Sequence, residues 1–493
     1  MASVLDVRRL GLGLGAVLAT AALIYFGTGP EPFWPLMWIA PLPVLLFAAD
    51  ASGWGAALAG AGGIMLGLLN LWGLFHDALQ MPWYILLQIY LSEGIVYALA
   101  VLLFRALLRR QAYWGALLAL PAVVVSFEYF LNVTSPHGTA GSLAYSQLGF
   151  LPFLQLASIT GPWGMSFLLL LFSSGLAIVM HLHRTDRKQQ LWIAGVTLGL
   201  LAAVLVFGTA RLLQPTDGTP VMVGLVASDG DNEDVADEGS PTARLFQSYT
   251  KPVAALAAQG AEVVVLPEKL GVVVEPDTRV LDARLQSLAE QSHVRVVAGM
   301  VRVVPPGAGM PKKIEYNEAR VYTPGAPVES YDKEHMLPPF ESKFAPGTAL
   351  TLLAGSGGGV STWGVAICKD MDFTQLGRHY GKAGAGLMLV PGWDFFRDWI
   401  QHGHMAIMRG VESGFSVVRS AKGGSLFVSD DRGRILGEVK SDAAPFSTLL
   451  VTVPQGHDKT LFLVFGDWFA YLAVLLLLGT LIRLGVVWKR PRS

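Results

Sequence analysis

The chain has 493 residues, 52% of them hydrophobic and 15% charged, with a mean hydropathy of +0.47. A composition this apolar predicts a membrane protein with a water-soluble part. Thirty-six Lys and Arg against 37 Asp and Glu leave no basic surplus to neutralise phosphates, which argues against a nucleic-acid partner; a single cysteine excludes an intramolecular disulfide and a Cys-rich zinc site.

Apolar runs of roughly 20 residues, the length that crosses a bilayer core, lie near 10–26, 34–49, 54–74, 84–103, 114–131, 161–180 and 191–212. An eighth lies near 464–487. The first run lacks a small-residue cleavage site before a polar segment, so it reads as a retained span rather than a signal peptide. Arg8 and Arg9 precede span one, and Arg105, Arg109 and Arg110 follow span four. Arg184, Arg187 and Lys188 follow span six, and Lys489, Arg490 and Arg492 follow span eight. The loops after spans one, three and five carry no Lys or Arg. The positive-inside rule then predicts cytoplasmic termini and an extracytoplasmic segment between spans seven and eight. Glu93 and Glu128 fall within spans, where a carboxylate serves either bundle structure or headgroup contact.

The expected domains are 1–213, a membrane domain; 214–459, an extracytoplasmic catalytic domain; and 460–493, a final span with a basic tail. In the middle region Val-rich runs such as "AEVVVLPE", "WGVAICKD" and "GLMLVPGW" alternate with helix-like stretches near 243–259, 278–292, 374–381 and 401–414. That rhythm predicts one mixed α/β domain with helix-covered sheets. The acidic stretch 227–243 reads as a loop, and "GSGGG" at 355–359 as a turn, because no Gly-Lys-Ser/Thr follows it.

Three strand-like runs in this domain are followed by reactive side chains: Glu268 in "VVVLPEKLG", Lys333 and Glu341 in "YDKEHMLPPFESKFAPG", and Cys368 in "GVAICKD". Thiol acyl transfer needs a nucleophile, a base for its proton and a positive group for the developing oxyanion. Singly, each has a plainer reading. Cys368 alone is a small buried hydrophobe, Glu268 a solvated strand end, Lys333 a surface charge, and Glu341 a helix-start acid or a partner of Lys343. His335, His402 and His404 lack metal-ligand company, and "HGH" reads as exposed on its helix.

"LPE", "YDKEHMLP" and "GVAICKD", in this order and spacing, resemble the Glu-Lys-Cys triad of the nitrilase, or carbon–nitrogen hydrolase, superfamily. Placed before the last of eight spans, the domain resembles the membrane-embedded branch, the apolipoprotein N-acyltransferases. The resemblance implies a polytopic α-helical membrane domain plus an α-β-β-α sandwich. It also implies Glu268 as general base, Lys333 as oxyanion-stabilising lysine, Cys368 as nucleophile and Glu341 as an additional essential glutamate. Arg409, Glu412 and Arg419 match a mainly architectural segment. The implied reaction moves an acyl chain from a phospholipid, through a cysteine thioester, to the amine of a diacylglyceryl-cysteine lipoprotein, with no metal or cofactor, in a bacterial inner membrane. Water or another amine resolving the thioester would make the chain a tethered hydrolase or a different acyltransferase.

Departures fall at the substrate pocket. Lys369 and Asp370 stand where the family has an aromatic and a glutamate, so Lys369 is expected to put a cation beside the thiol. Stretch 229–249, which matches the family's mobile arm, has no Trp, and Phe340-Glu341 replaces a Gly-Glu pair.

Overall fold

The computed structural model describes residues 2–183, 185–216, 218–229, 240–276, 278–307, 312–356 and 361–489. Most of the acidic stretch and of the "GSGGG" turn lies outside these residues. The chain forms two compact units: one from the residues up to Thr134, Gly141–Leu213 and the residues from Phe465, the other from Ser135–Ala140 and Gln214–Val464.

The first unit holds, among the described residues, seven helices long and apolar enough to cross a membrane: Arg8–Gly27, Gly53–Leu71, Trp83–Leu108, Tyr113–Thr134, Pro162–Leu182, Arg187–Leu213 and Trp468–Trp488. The run near 34–49 is not one continuous span. It is a 3-10 turn, Trp34–Trp38, followed by the helix Leu42–Asp50. Pro35, Pro41 and Pro43 cause the break, because proline lacks an N–H and clashes with the preceding turn. This broken element still carries the chain from one end of the unit to the other. Met37 packs at Gly27 of the first helix, while Phe47 packs at Gly13.

Neighbouring contacts set the directions of the remaining helices. Gly60 meets Val101 and Gly94 meets Met65, so Gly53–Leu71 and Trp83–Leu108 run antiparallel. Gly115 meets Arg483, Tyr129 meets Tyr471, and Arg110 donates to the Val487 carbonyl. Tyr129 also packs on Trp163, and Gln190 donates to the Val179 carbonyl. As a result Arg8, Arg9, Arg105, Arg109, Arg110, Arg187, Lys188 and Lys489 gather at one end of the unit.

The second unit is built on two sheets. Its strands are β1 Pro220–Ala227, β2 Val263–Val265, β3 Val272–Val274, β4 Arg295–Val304, β5 Ile314–Tyr322, β6 Glu329–Asp332, β7 Thr351–Ala354, β8 Thr362–Val365, β9 Ala385–Trp393, β10 Ser416–Lys422, β11 Ser425–Ser429, β12 Ile435–Lys440 and β13 Ser447–Pro454. One sheet has the order β13-β1-β2-β4-β5-β6 with β3 also on β4, and the other β12-β11-β10-β9-β8-β7. The period-2 strand pattern explains the layering. Val263 and Val265 join Trp363, Val365, Leu387 and Leu389 in the core between the sheets. Val264 and Leu266 face the other way, into a second core with Phe246, Val253, Leu281 and Leu285 of helices Ser240–Ala258 and Thr278–Ser292. The expected α-β-β-α sandwich is therefore present. Helices Thr374–Lys382 and Gln401–Ser413 accompany the second sheet.

Candidate active site

Glu268, Lys333 and Cys368 are buried and each stand just after a strand end, of β2, β6 and β8; Lys333 bonds Glu268, and both charges act on the Cys368 thiol. Two of the loops use the left-handed backbone region, which side chains other than glycine rarely adopt. Cys368 has φ +44°, and Lys269, the residue after Glu268, has φ +48°. Gly299 on β4 makes room for the Glu268 loop, since a Cβ there would stand 2.5 Å from the Glu268 Cα.

The ammonium of Lys333 donates to Glu268 Oε1 at 2.9 Å and to Glu341 Oε2 at 2.8 Å. Asn317 Nδ2 joins the same two carboxylates, at 2.6 Å to Glu268 Oε1 and 2.9 Å to Glu341 Oε1. Lys269 Nζ closes the group at 2.6 Å from Glu341 Oε1. Glu341 thus belongs to the cluster and pairs with Lys333 and Lys269. Lys343 instead pairs with Glu315. Burial works against both charges. Even so, the two carboxylates hold the Lys333 ammonium well above its ordinary range, and the two lysines hold Glu341 below the carboxylate range. Among the described residues, the side-chain hydrogen bonds to Glu268 both fall on Oε1.

The Cys368 thiol donates weakly to the Trp393 carbonyl at 3.6 Å, and Arg419 Nη2 lies 3.7 Å from the sulfur. Burial and the neighbouring Glu268 push the thiol up, while Lys333 and Arg419 pull it down. Lys369 is not the cation at the sulfur. Its Nζ turns away to Asp372 Oδ2 at 3.3 Å and His137 Nδ1 at 3.4 Å. The Cys-Lys sequence placed a charge next in the chain, but the 3-10 turn Cys368–Asp372 sends the two side chains in different directions. Asp370 acts on the backbone instead. It accepts from the amides of Glu334 and His335 and from Ile367, and from the Tyr331 hydroxyl at 2.8 Å, so it ties the lysine loop to the cysteine loop.

His402 is not an exposed helix residue. It donates to Asp394 Oδ1 at 2.8 Å, and His404 contacts Glu438 at the same distance. The ligand atoms of Cys368, Asp394 and His402 lie within 4.8 Å of one another, a spacing that could hold a metal. The Arg419 guanidinium sits among them, bound to both Asp394 oxygens at 2.7 and 2.6 Å, so the positive charge there is already supplied by the chain. Arg409 pairs with Glu412, both fully buried, in an architectural position. Phe340 is exposed and packs near Phe395. In the first unit, buried Glu128 accepts from Ser142, Leu143 and Ser166.

Sequence reading missed Asn317, Asp394 and His402, and the place of Arg419 at the sulfur. A signal for two of them existed. Ala319 and Val321 face the inter-sheet core, so period-2 alternation puts Asn317 there as well, a polar group that must find partners. Arg419 is a charge inside the otherwise apolar "FSVVRSA" strand.

Comparisons with known proteins bear on the whole chain. Residues 20–175 match the apolipoprotein N-acyltransferase N-terminal domain, and residues 239–453 match the carbon-nitrogen hydrolase domain. An apolipoprotein N-acyltransferase of Geobacter metallireducens is 27% identical over 482 residues, covering 89% of each chain. One from Rhizobium meliloti is 26% identical over 368 residues, 69% of this chain and 68% of its own. Apolipoprotein N-acyltransferase 1 of Treponema denticola is 22% identical, covering 94% of each. Among solved structures, an amidase from Nesterenkonia sp. aligns over 52% of this chain and 96% of its own, with 19% identity and a TM-score of 0.39.

Proposed function

The chain belongs to the apolipoprotein N-acyltransferase family, the membrane-embedded branch of the carbon–nitrogen hydrolases, and we propose that it moves a fatty acyl chain from a membrane phospholipid to the N-terminal amine of a diacylglyceryl-cysteine lipoprotein. The observation that carries this reading is a buried thiol under the charges of a bonded carboxylate and ammonium, in a chain that has, among the described residues, seven membrane-length helices.

Glu268 Oε2 takes the Cys368 proton, and the thiolate attacks the ester carbonyl of the lipid. Lys333, and the charge it brings, stabilises the tetrahedral oxyanion. Collapse breaks the ester C–O bond; the lysophospholipid oxygen leaves with the proton held on Glu268, and a thioester remains on Cys368. The α-amine of the acceptor then attacks the thioester, Glu268 accepts the amine proton, and the thiolate departs as the amide forms. Splitting the transfer this way predicts ping-pong kinetics. Glu341 holds Lys333 in place, Asp370 fixes the backbone that follows it, and Lys369 anchors the 135–140 segment.

The clustering of basic residues at one end of the helical unit supports an orientation with that end in the cytoplasm. Helix Arg187–Leu213 begins at that end and Trp468–Trp488 finishes there, so the segment between them is assigned to the extracytoplasmic side of a bacterial inner membrane. The test is mass spectrometry after incubation with phospholipid and a diacylated lipopeptide. A thioester on Cys368 followed by a triacylated peptide is expected, and both should vanish in Cys368→Ala. Turnover in that variant would sink the thioester route, and a thioester that only hydrolyses would make the chain a membrane-tethered hydrolase.

A further inference from the structure

We propose that Arg419 is a further catalytic residue that holds the Cys368 sulfur as a thiolate, with Asp394 as its positioning residue. The inference rests on the thioester chemistry above. Arg419 is fully buried on β10 and reaches past β9 at Gly392, where a Cβ would stand 3.0 Å from its Cζ. Its Nη1 donates to Asp394 Oδ2, and one Nη2 proton goes to Asp394 Oδ1. A guanidinium nitrogen of this kind carries two protons. The second is aimed at Cys368 Sγ, 3.7 Å away. His402 also hydrogen-bonds Asp394, with a ring nitrogen within 4.8 Å of the sulfur, and Asp372 and Asp398 each lie 3.8 Å from the His402 ring.

The division of labour follows from the groups facing the sulfur: Glu268, Lys333, Arg419, Asp394 and the His402 ring. Lys333 is shared between two carboxylates, so its charge is largely matched before any substrate arrives. Arg419 has one carboxylate partner and a donor left for sulfur. A fixed cation there stabilises negative sulfur and does little for a neutral thiol or thioester. It therefore favours the attacking thiolate, and the same thiolate when it leaves in the second half-reaction.

The experiment follows Cys368 alkylation by iodoacetamide against pH, by intact mass, on the full chain in detergent micelles. It needs no substrate. Arg419→Met is expected to move the alkylation midpoint up by about one unit or more, slowing reaction near neutral pH about tenfold. Arg419→Lys should fall between it and the unmodified chain. Adding Arg419→Met to Asp394→Asn should raise the midpoint above that of Asp394→Asn alone; a purely structural role would not separate the two. An unchanged midpoint in Arg419→Met overturns the assignment. If that variant does not fold, the double variant Asp394→Asn/Arg419→Met, which leaves no unpaired buried charge, is compared with Asp394→Asn alone: a higher midpoint in the double variant supports the role, and an equal or lower one overturns it. Loss of acyl transfer to lipopeptide by the unmodified chain, with this alkylation pattern intact, would sink the transferase reading and leave Arg419 assigned.

Discussion

Asn317 donates to Glu268 Oε1 at 2.6 Å, and the same amide nitrogen reaches Glu341 Oε1 at 2.9 Å. One side chain thus fixes the proposed base and the glutamate that holds the proposed oxyanion lysine. Its carbonyl also accepts the Lys333 backbone amide at 2.8 Å. Asn317→Ala should leave Glu268 Oε1 held by Lys333 alone, so the carboxylate is less firmly oriented. A charge-assisted hydrogen bond is worth about 1.5–3 kcal/mol, so acyl-enzyme formation should slow roughly 10- to 100-fold. Burst amplitudes read by mass spectrometry check this, and an unchanged rate would remove Asn317 from the positioning machinery.

Glu341 sits nearly fully buried between two lysines that outweigh the cost of its burial and hold it below the ordinary carboxylate range. A depressed folded-state value adds stability that is fully present above the unfolded carboxylate range, about 4.3, and is lost as pH falls through it toward the folded-state value. Glu341→Gln breaks a buried pair, for which the usual cost is about 3–5 kcal/mol. Thermal unfolding near pH 7 should therefore occur at lower temperature in the variant. The gap to the unmodified chain should narrow on acidification below about pH 4. A gap independent of pH would mean that the ion pairs contribute nothing.

Lys369 stands next to Cys368 in the chain, yet its charge is taken up by Asp372 and His137. Burial, with Lys369 acting in the same direction, lowers the His137 ring to about 4. Thr139 donates to the Asp372 carbonyl, so this lysine belongs to the contact that holds the 135–140 segment. Lys369→Met should lower the unfolding temperature while Cys368 alkylation stays within about twofold at every pH. A shift of the alkylation midpoint comparable to that of Arg419→Met would put Lys369 back at the sulfur.

Much was legible from patterns that repeat along the chain. Apolar runs of membrane length, basic loops at every second turn and period-2 Val runs each report a local physical rule, so the helical region, the sandwich and the three strand-end side chains could be read without coordinates. The broken second run was also readable in principle, since Pro35, Pro41 and Pro43 forbid a continuous helix. Direction of side chains was not. Lys369 and Arg419 illustrate this: one is adjacent in the chain and points elsewhere, the other is 51 positions away and meets the sulfur.

By itself, then, the sequence determined which groups could take part, because a lone thiol, a strand-end carboxylate and a lysine, in an order that resembles the carbon–nitrogen hydrolases, imply nucleophilic acyl transfer. Only the tertiary structure decided which charges face the sulfur and which oxygen of Glu268 is held by Lys333 and Asn317. Electrostatic influence falls with distance in space rather than along the chain. Those distances are set by how β5, β9 and β10 bring Asn317, Asp394 and Arg419 to the ends of β2, β6 and β8.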